Sequence, residues 1–224
     1  METLNLGIDD AGRGPVIGPM ILAGVIINEE AEKELRKLGV KDSKQLTQKR
    51  REFIEAKIKE LATSFYVESS SAEKIDHSME TGTNLNELEA INTADIINEL
   101  NKDHRQRLKI VVDCPSTSIL KWTDSVRQKV KHLANLEISC EHKADHNHIS
   151  VGAASILAKC ERERAMDKLK EEYGTEIGSG YTSDPATIRF LELYTEKHKD
   201  KGIFRKTWAT YKRIHKDQKQ KTLF

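Results

Sequence analysis

The apolar positions change period several times along the chain, and each change predicts an element. Leu4-Asn5-Leu6-Gly7-Ile8 alternates as a strand does, and the β-branched run from Gly18 to Ile27 reads as the next strand. Gly12, Gly14, Pro15 and Gly18 between them predict a turn. Thr47 to Ala62 carries Phe53, Ile54, Ile58 and Leu61 at helical spacing, and Ser64 to Glu68 is a short strand. Leu85, Leu88, Ile91 and Ala94 recur every three residues, so Asn84 to Asn101 reads as a helix. Leu108 to Asp113 is a strand ending in an acid, Ile119 to Leu133 a helix, and Leu136 to Cys140 another strand. Ile149 to Tyr173 is a long helix that Gly174 closes. Asp184-Pro185 has the form of an N-cap followed by proline at the first helical position, opening a helix to about Lys199. A last amphipathic helix runs from Lys206 to about Lys219, with Trp208, Tyr211 and Ile214 on its apolar side. Helices that follow strands throughout predict an α/β fold with a mixed sheet and a helical C-terminal appendage.

Composition narrows the class. Of 224 residues, 37% are hydrophobic and 33% charged, as in a globular chain with a very polar surface. Cys114, Cys140 and Cys160 are odd in number and form no Cys-x-x-Cys pair. That argues against a disulfide framework or a zinc knuckle and for a reducing, cytoplasmic compartment. Neither a signal peptide nor an 18-residue apolar span is visible, so no membrane association is expected. Nothing in the sequence demands an oligomer, and a monomer is the default expectation.

The net charge of +1 hides an asymmetry. Residues 197–224 hold ten Lys/Arg against two Asp, whereas the remainder holds 27 basic and 34 acidic residues. A basic tail on an acidic body can be an electrostatic footprint for nucleic acid; a solvated lysine-rich helix face has the same composition.

Several acids fall where strands end or helices begin: Asp9 and Asp10, Asp113 and Asp145. Carboxylates at strand ends of an α/β sheet can converge on one crevice. Clustered like charges raise one another's pKa, a cost that hard divalent cations remove. Two such ions about 4 Å apart suit hydrolysis of a phosphodiester. Spacing alone leaves the same acids readable as ordinary caps.

The glycine-rich segment Gly7-Ile8-Asp9-Asp10-Ala11-Gly12-Arg13-Gly14-Pro15-Val16-Ile17-Gly18-Pro19 closely resembles the opening motif of the type 2 ribonucleases H, ribonuclease HII. Asp42-Ser43-Lys44-Gln45-Leu46-Thr47 resembles that family's second block, and Asn84-Leu85-Asn86-Glu87-Leu88-Glu89 a helix start of its archaeal members. Lys143-Ala144-Asp145 with Ala153-Ala154-Ser155-Ile156-Leu157-Ala158-Lys159 is similar to the block carrying the last acid, and Gly178-Ser179-Gly180-Tyr181 to the tyrosine block. Five blocks in order make chance a poor explanation.

The resemblance implies a ribonuclease-H-like mixed sheet flanked by helices over residues 1–184 and a small helical substrate-binding extension over 185–224. It implies that Asp9, Asp10, Asp113 and Asp145 hold two Mg2+ or Mn2+ ions. Water then attacks 5′ of a ribonucleotide, in an RNA–DNA hybrid or embedded in duplex DNA, leaving a 3′-hydroxyl and a 5′-phosphate. Gly12, Arg13 and Gly14 would sense the ribose 2′-hydroxyl, because a backbone without Cβ can come close to the sugar. Tyr181 would stack on the neighbouring deoxyribose, and Ser43 and Lys44 would contact phosphate.

The chain departs from the family pattern at Asp10, where Glu is usual, and at Thr182, where proline is usual, which puts the rigidity of the tyrosine loop in question. His142, His146 and His148 flank Asp145; they could suggest zinc, a proton shuttle or lid, or a plain surface loop. Arg205, Lys206 and Arg213 could bind phosphate, while Trp208 and Tyr211 read as helix core. The terminal Gln220-Lys221-Thr222-Leu223-Phe224 resembles the start of a sliding-clamp-binding peptide. Two other readings stay open: a junction-resolving or integrase-like nuclease of the same fold, and a nucleic-acid-binding protein without catalysis.

Overall fold

A computed structural model of the chain describes residues 4–40, 46–102 and 106–221, with side chains to residue 217. Among the described residues, five strands form one mixed sheet: β1 (Leu4–Ala11), β2 (Met20–Ile27), β3 (Ser64–Ser70), β4 (Leu108–Asp113) and β5 (Leu136–Glu141), in the order β3-β2-β1-β4-β5. β1 pairs antiparallel with β2 and parallel with β4, and β4 pairs parallel with β5. The helices are α1 (Glu29–Lys37), α2 (Gln48–Leu61), α3 (Ala72–Glu80), α4 (Leu85–Leu100), α5 (Ile119–Lys129), α6 (Ala144–Asn147), α7 (Ile149–Tyr173), α8 (Pro185–His198) and α9 (Ala209–Lys221).

The chain forms two compact units. The first comprises residues 1–11, 21–68 and 86–161, the second residues 12–20, 69–85 and 162–224. The extension expected over 185–224 falls in the second unit, together with the glycine-rich loop and α3.

The first unit is built on β1, the central strand. Apolar residues of β2 (Val25, Ile27), α1 (Leu35), α2 (Ile54) and α7 (Ala153, Leu157) make one buried cluster. Gly7 sets how closely β1 approaches α7: an added Cβ would lie 2.1 Å from Ser150 C and Val151 N. No other residue fits that contact without moving helix or strand. Core of the second unit gathers Ile17, Met166, Ile177, Phe190, Phe204 and Tyr211. The Phe204 and Tyr211 rings are 5.5 Å apart and tilted, a favourable aromatic arrangement.

Several expectations shift. β1 runs on through Asp9 and Asp10, which therefore lie inside the strand, held by the pairings Asp9↔Ala23 and Asp10↔Leu22. α5 stops at Lys129 rather than Leu133, where Val130 turns extended. The Asn98 side chain fixes that exit, accepting from Lys131 N–H at 2.8 Å and donating to Lys129 O at 3.2 Å. The final helix begins at Ala209, since the Asp76 carboxylate holds the backbone N–H groups of Lys206 and Thr207 outside it. The helices α1 and α3 escape the periodicity reading but carry their own start signals. Asn28 and Ser71 accept from the backbone N–H three residues on.

Candidate active site

The expected acids all belong to the first unit. Asp9 is buried in β1, and its Oδ1 accepts the Asp10 backbone N–H at 2.8 Å. Burial drives its pKa well above the usual carboxylate range, and the negative charges of Asp10 and Asp113 add to the rise. The Ser155 hydroxyl of α7 and the Asp10 N–H pull the other way without cancelling it. Asp113 ends β4, opposite Glu141 of β5, and its Oδ1 accepts Ala144 N–H at 2.9 Å. That bond ties Asp113 to the start of α6, where Asp145 follows, itself buried. The turn into α6 passes through Lys143 in the left-handed region (φ 58°), a tight reversal that brings Ala144 back onto β4.

Asp9, Asp10 and Asp113 line one small cleft with Glu89, Thr93 and Trp122. Asp145 is not among its lining residues. Glu89 was not singled out from the sequence, although it lies in the Asn84–Glu89 block. On α4, Glu89, Thr93 and Ile96 fall on one stripe and all are buried. A carboxylate at a core position of an otherwise regular stripe was the available signal.

Among the described residues, no group of three or more His, Cys, Asp or Glu has the spacing of a finished metal cage. The donor chemistry nevertheless fits a hard cation. All the donors are carboxylate oxygens, and Asp9 is destabilised by neighbouring negative charge that a cation would neutralise. The histidines do not assemble a zinc site. His142 Nδ1 is bonded to Cys114 O at 3.1 Å and His148 Nε2 to Glu141 at 3.1 Å, while His146 Nε2 stands 3.9 Å from Asp145.

The glycine-rich loop and the tyrosine block belong to the second unit. Gly12 has φ +85°, and an added Cβ would meet Arg162 Cδ and Nε at 2.5 Å and Pro19 O at 2.8 Å. Only glycine meets both demands. The buried Arg162 donates from Nη2 to Ser179 O at 2.9 Å, and its guanidinium stacks 4.8 Å from the centre of the Tyr181 ring. Burial pushes its pKa down. Gly180 O accepts from Val16 and Ile17 N–H at 2.9 and 3.3 Å, joining the two loops through backbone. Tyr181 is 38% exposed, its ring edge 4.0 Å from where a Cβ on Gly14 would stand. Arg162 lies in the polar second half of α7, where no pattern in the sequence signals that it turns inward.

The rigidity questioned at Thr182 comes from elsewhere. Asp184 caps α8 through Ala186 N–H at 2.9 Å and also takes Ser179 N–H at 2.7 Å, which holds its pKa below the usual range. The buried Thr187 hydroxyl accepts Gly180 N–H at 2.9 Å and donates to Ile177 O at 3.0 Å. Ser43 and Lys44 lie outside the described residues. Arg205 cannot serve as a phosphate ligand, because its side chain is wholly buried. Trp208 packs against the second core from the turn preceding α9, not from within a helix.

The family model for ribonuclease HII matches residues 6–211. The chain belongs to the ribonuclease HII family. It is 44% identical to ribonuclease HII of Methanocaldococcus jannaschii, with 97% of each chain covered. Its fold is similar to the crystal structure of ribonuclease H2 from Pyrococcus horikoshii, with TM-score 0.84, 37% identity and coverage of 96% of this chain and 98% of that one. It is also similar to ribonuclease HII in the PCNA:RNase HII complex from Archaeoglobus fulgidus, with TM-score 0.81, 37% identity and 94% and 96% coverage. Members of the ribonuclease HII family are endoribonucleases, hydrolases that depend on divalent metal. The ribonuclease-H-like sheet and the helical C-terminal part agree with the expected fold.

Proposed function

We propose that the chain cuts the RNA strand of RNA–DNA hybrids and nicks duplex DNA 5′ of an embedded ribonucleotide. The observation that carries this reading is Asp9, buried beside two further carboxylates with its charged form disfavoured. Such an arrangement suits a group kept for a cation.

Asp9, Asp10, Asp113 and Asp145 would hold two Mg2+ or Mn2+ ions, which polarise phosphate oxygens and make water a better nucleophile. Water adds across the P–O3′ bond. Its hydroxyl goes to phosphorus and its proton to the leaving oxygen, giving a 3′-hydroxyl and a 5′-phosphate. The chain's own residues position and select. Asp113, fixed by Ala144 N–H, keeps one orientation. Gly12, Arg13 and Gly14 read the 2′-hydroxyl, and Tyr181 packs on the next deoxyribose, its ring backed by Arg162. Ser43 and Lys44 hold backbone phosphate, as does the basic C-terminal extension. The Asp10 carboxylate is one methylene shorter than the family's Glu, and we expect cleavage to survive this. Cys114, Cys140 and Cys160 are buried and form no disulfide, which suits a cytoplasmic setting. Among the described residues no helix is long and apolar enough to cross a membrane.

The test offers duplex DNA with one ribonucleotide, all-DNA duplex and a branched junction, each with magnesium or manganese. Cleavage 5′ of the ribonucleotide alone is expected. Cutting only at the junction would favour a resolvase, and binding without cutting under both metals a non-catalytic protein. A clamp contact is a second proposal. It is supported by Gln220-Lys221-Thr222-Leu223-Phe224 and by the PCNA complex of the Archaeoglobus relative; those tail side chains lie outside the described ones. Deleting residues 220–224 should abolish capture by an archaeal clamp, and unchanged capture would refute it.

A further inference from the structure

Within the second unit, the segment that precedes α9 makes a set of bonds that neither hydrolysis nor phosphate binding requires. Arg205 is fully buried. Burying a guanidinium is costly unless its N–H groups are met. Here they are met by backbone carbonyls: Nε donates to Gly18 O at 3.0 Å, Nη1 to Arg13 O at 2.7 Å and Nη2 to Gly12 O at 2.6 Å. The guanidinium lies 5.0 Å from the centre of the Trp208 ring, and the Trp208 indole N–H donates to Gly14 O at 3.1 Å. Two side chains therefore hold the carbonyls of Gly12, Arg13 and Gly14, three residues in a row.

The backbone that carries both side chains is itself fixed. Arg205 N–H donates to Val16 O at 2.8 Å, and Gly18 N–H to Ile203 O at 3.0 Å. Trp208 N–H closes the turn onto Arg205 O at 3.1 Å. Asp76 of α3 takes Lys206 N–H at 2.6 Å and Thr207 N–H at 3.0 Å, along with the Thr207 hydroxyl at 2.5 Å.

A trans peptide is planar, so each N–H points away from the C=O of the same peptide. Drawing the Gly12 and Arg13 carbonyls onto Arg205 thus turns the N–H groups of Arg13 and Gly14 the opposite way. A loop with glycine at 12 and 14 has little stiffness of its own. Arginine suits the task because its planar fork presents several donors in fixed directions, whereas a lysine ammonium is a point charge that cannot span three carbonyls in this geometry.

We propose that Arg205, braced by Trp208 and Asp76, is the positioning residue that sets the amide directions with which the loop discriminates ribose from deoxyribose. The proposal rests on reading Gly12–Gly14 as the ribose-sensing loop. It gives the C-terminal extension a role in sugar specificity, separate from its positive charge.

The experiment measures Kd for a duplex with one ribonucleotide and for the same duplex in DNA, using the full chain in Ca2+. Folding is checked by circular dichroism and Tm. Arg205→Lys should weaken binding to the ribonucleotide duplex about tenfold and leave the all-DNA value unchanged. Trp208→Phe keeps a ring under the guanidinium and deletes only the bond to Gly14 O, so it should fold and lose about threefold on the ribonucleotide duplex alone. Equal weakening on both duplexes, or an unchanged ratio in folded Trp208→Phe, would overturn the proposal, whatever the stability of Arg205→Lys. A wild-type protein with no preference would instead refute the ribose-sensing reading on which the proposal rests.

Discussion

The two units bury charge in opposite ways. In the first, negative charge is gathered where it is unwelcome: Asp9 sits beside Asp10 and Asp113, and burial and repulsion raise its pKa together. In the second, two buried arginines donate to backbone carbonyls and lie against aromatic rings, Arg162 on Tyr181 and Arg205 under Trp208. On the proposed reading, a cation would relieve the first arrangement, whereas the second fixes a shape before any ligand binds. The proposal places chemistry and recognition in different parts of the chain, although Asp10 and Gly12 are only two residues apart in sequence.

The largest effect that would break this contrast comes from Asp9→Asn. Cleavage should fall by at least about a thousandfold, while Tm without divalent cation should rise by about 2–4 °C, the response of a chain this size to about 1 kcal/mol. The sign follows from linkage. A carboxyl whose folded pKa lies above its unfolded value costs stability once pH exceeds the unfolded pKa, and the cost is relieved as pH falls. Wild type should therefore lose stability as pH rises out of the acidic range in EDTA, and the Asn variant should lose less. A variant that is both inactive and less stable would show Asp9 to be structural.

Next comes Gly12→Ala. Its Cβ would collide with Arg162 and Pro19 at a backbone angle that disfavours side chains, so a loss of about 1–3 kcal/mol of stability is expected in urea unfolding. Removing the exposed ring in Tyr181→Ala should raise KM for a single-ribonucleotide duplex about tenfold with a smaller change in kcat, and Tyr181→Phe should restore it. The smallest effect is expected from Asp10→Glu, whose rate should stay within about tenfold of wild type under either metal. A rise beyond about a hundredfold, or about 2.7 kcal/mol, would mean that the shorter acid cripples the site.

Much of this contrast was legible in the sequence. Period-two and helical patterns place the strands and α7, and Asp184-Pro185 marks the start of α8 as observed. The acids and glycines stand out because few other residues suit those positions. What stayed hidden depends on distance in space. Glu89 holds a core position on the α4 stripe, but which acids it joins depends on strands distant in the chain. Arg162 and Arg205 read as surface cations, since no local pattern signals that carbonyls from residues 12–18 or the carbonyl of Ser179 will meet them. Likewise, β1 extends through Asp9 and Asp10 because β2 pairs with it there, a fact of long-range register that alternation over residues 4–8 cannot supply.

The division of labour can be tested most directly by equilibrium binding of Asp9→Asn protein, in EDTA, to a duplex with one ribonucleotide and to its all-DNA counterpart. If recognition resides in the second unit, the inactive protein should still bind the ribonucleotide duplex about tenfold more tightly. Equal affinity for the two duplexes, in a folded protein, would place ribose recognition with the acids and contradict the separation.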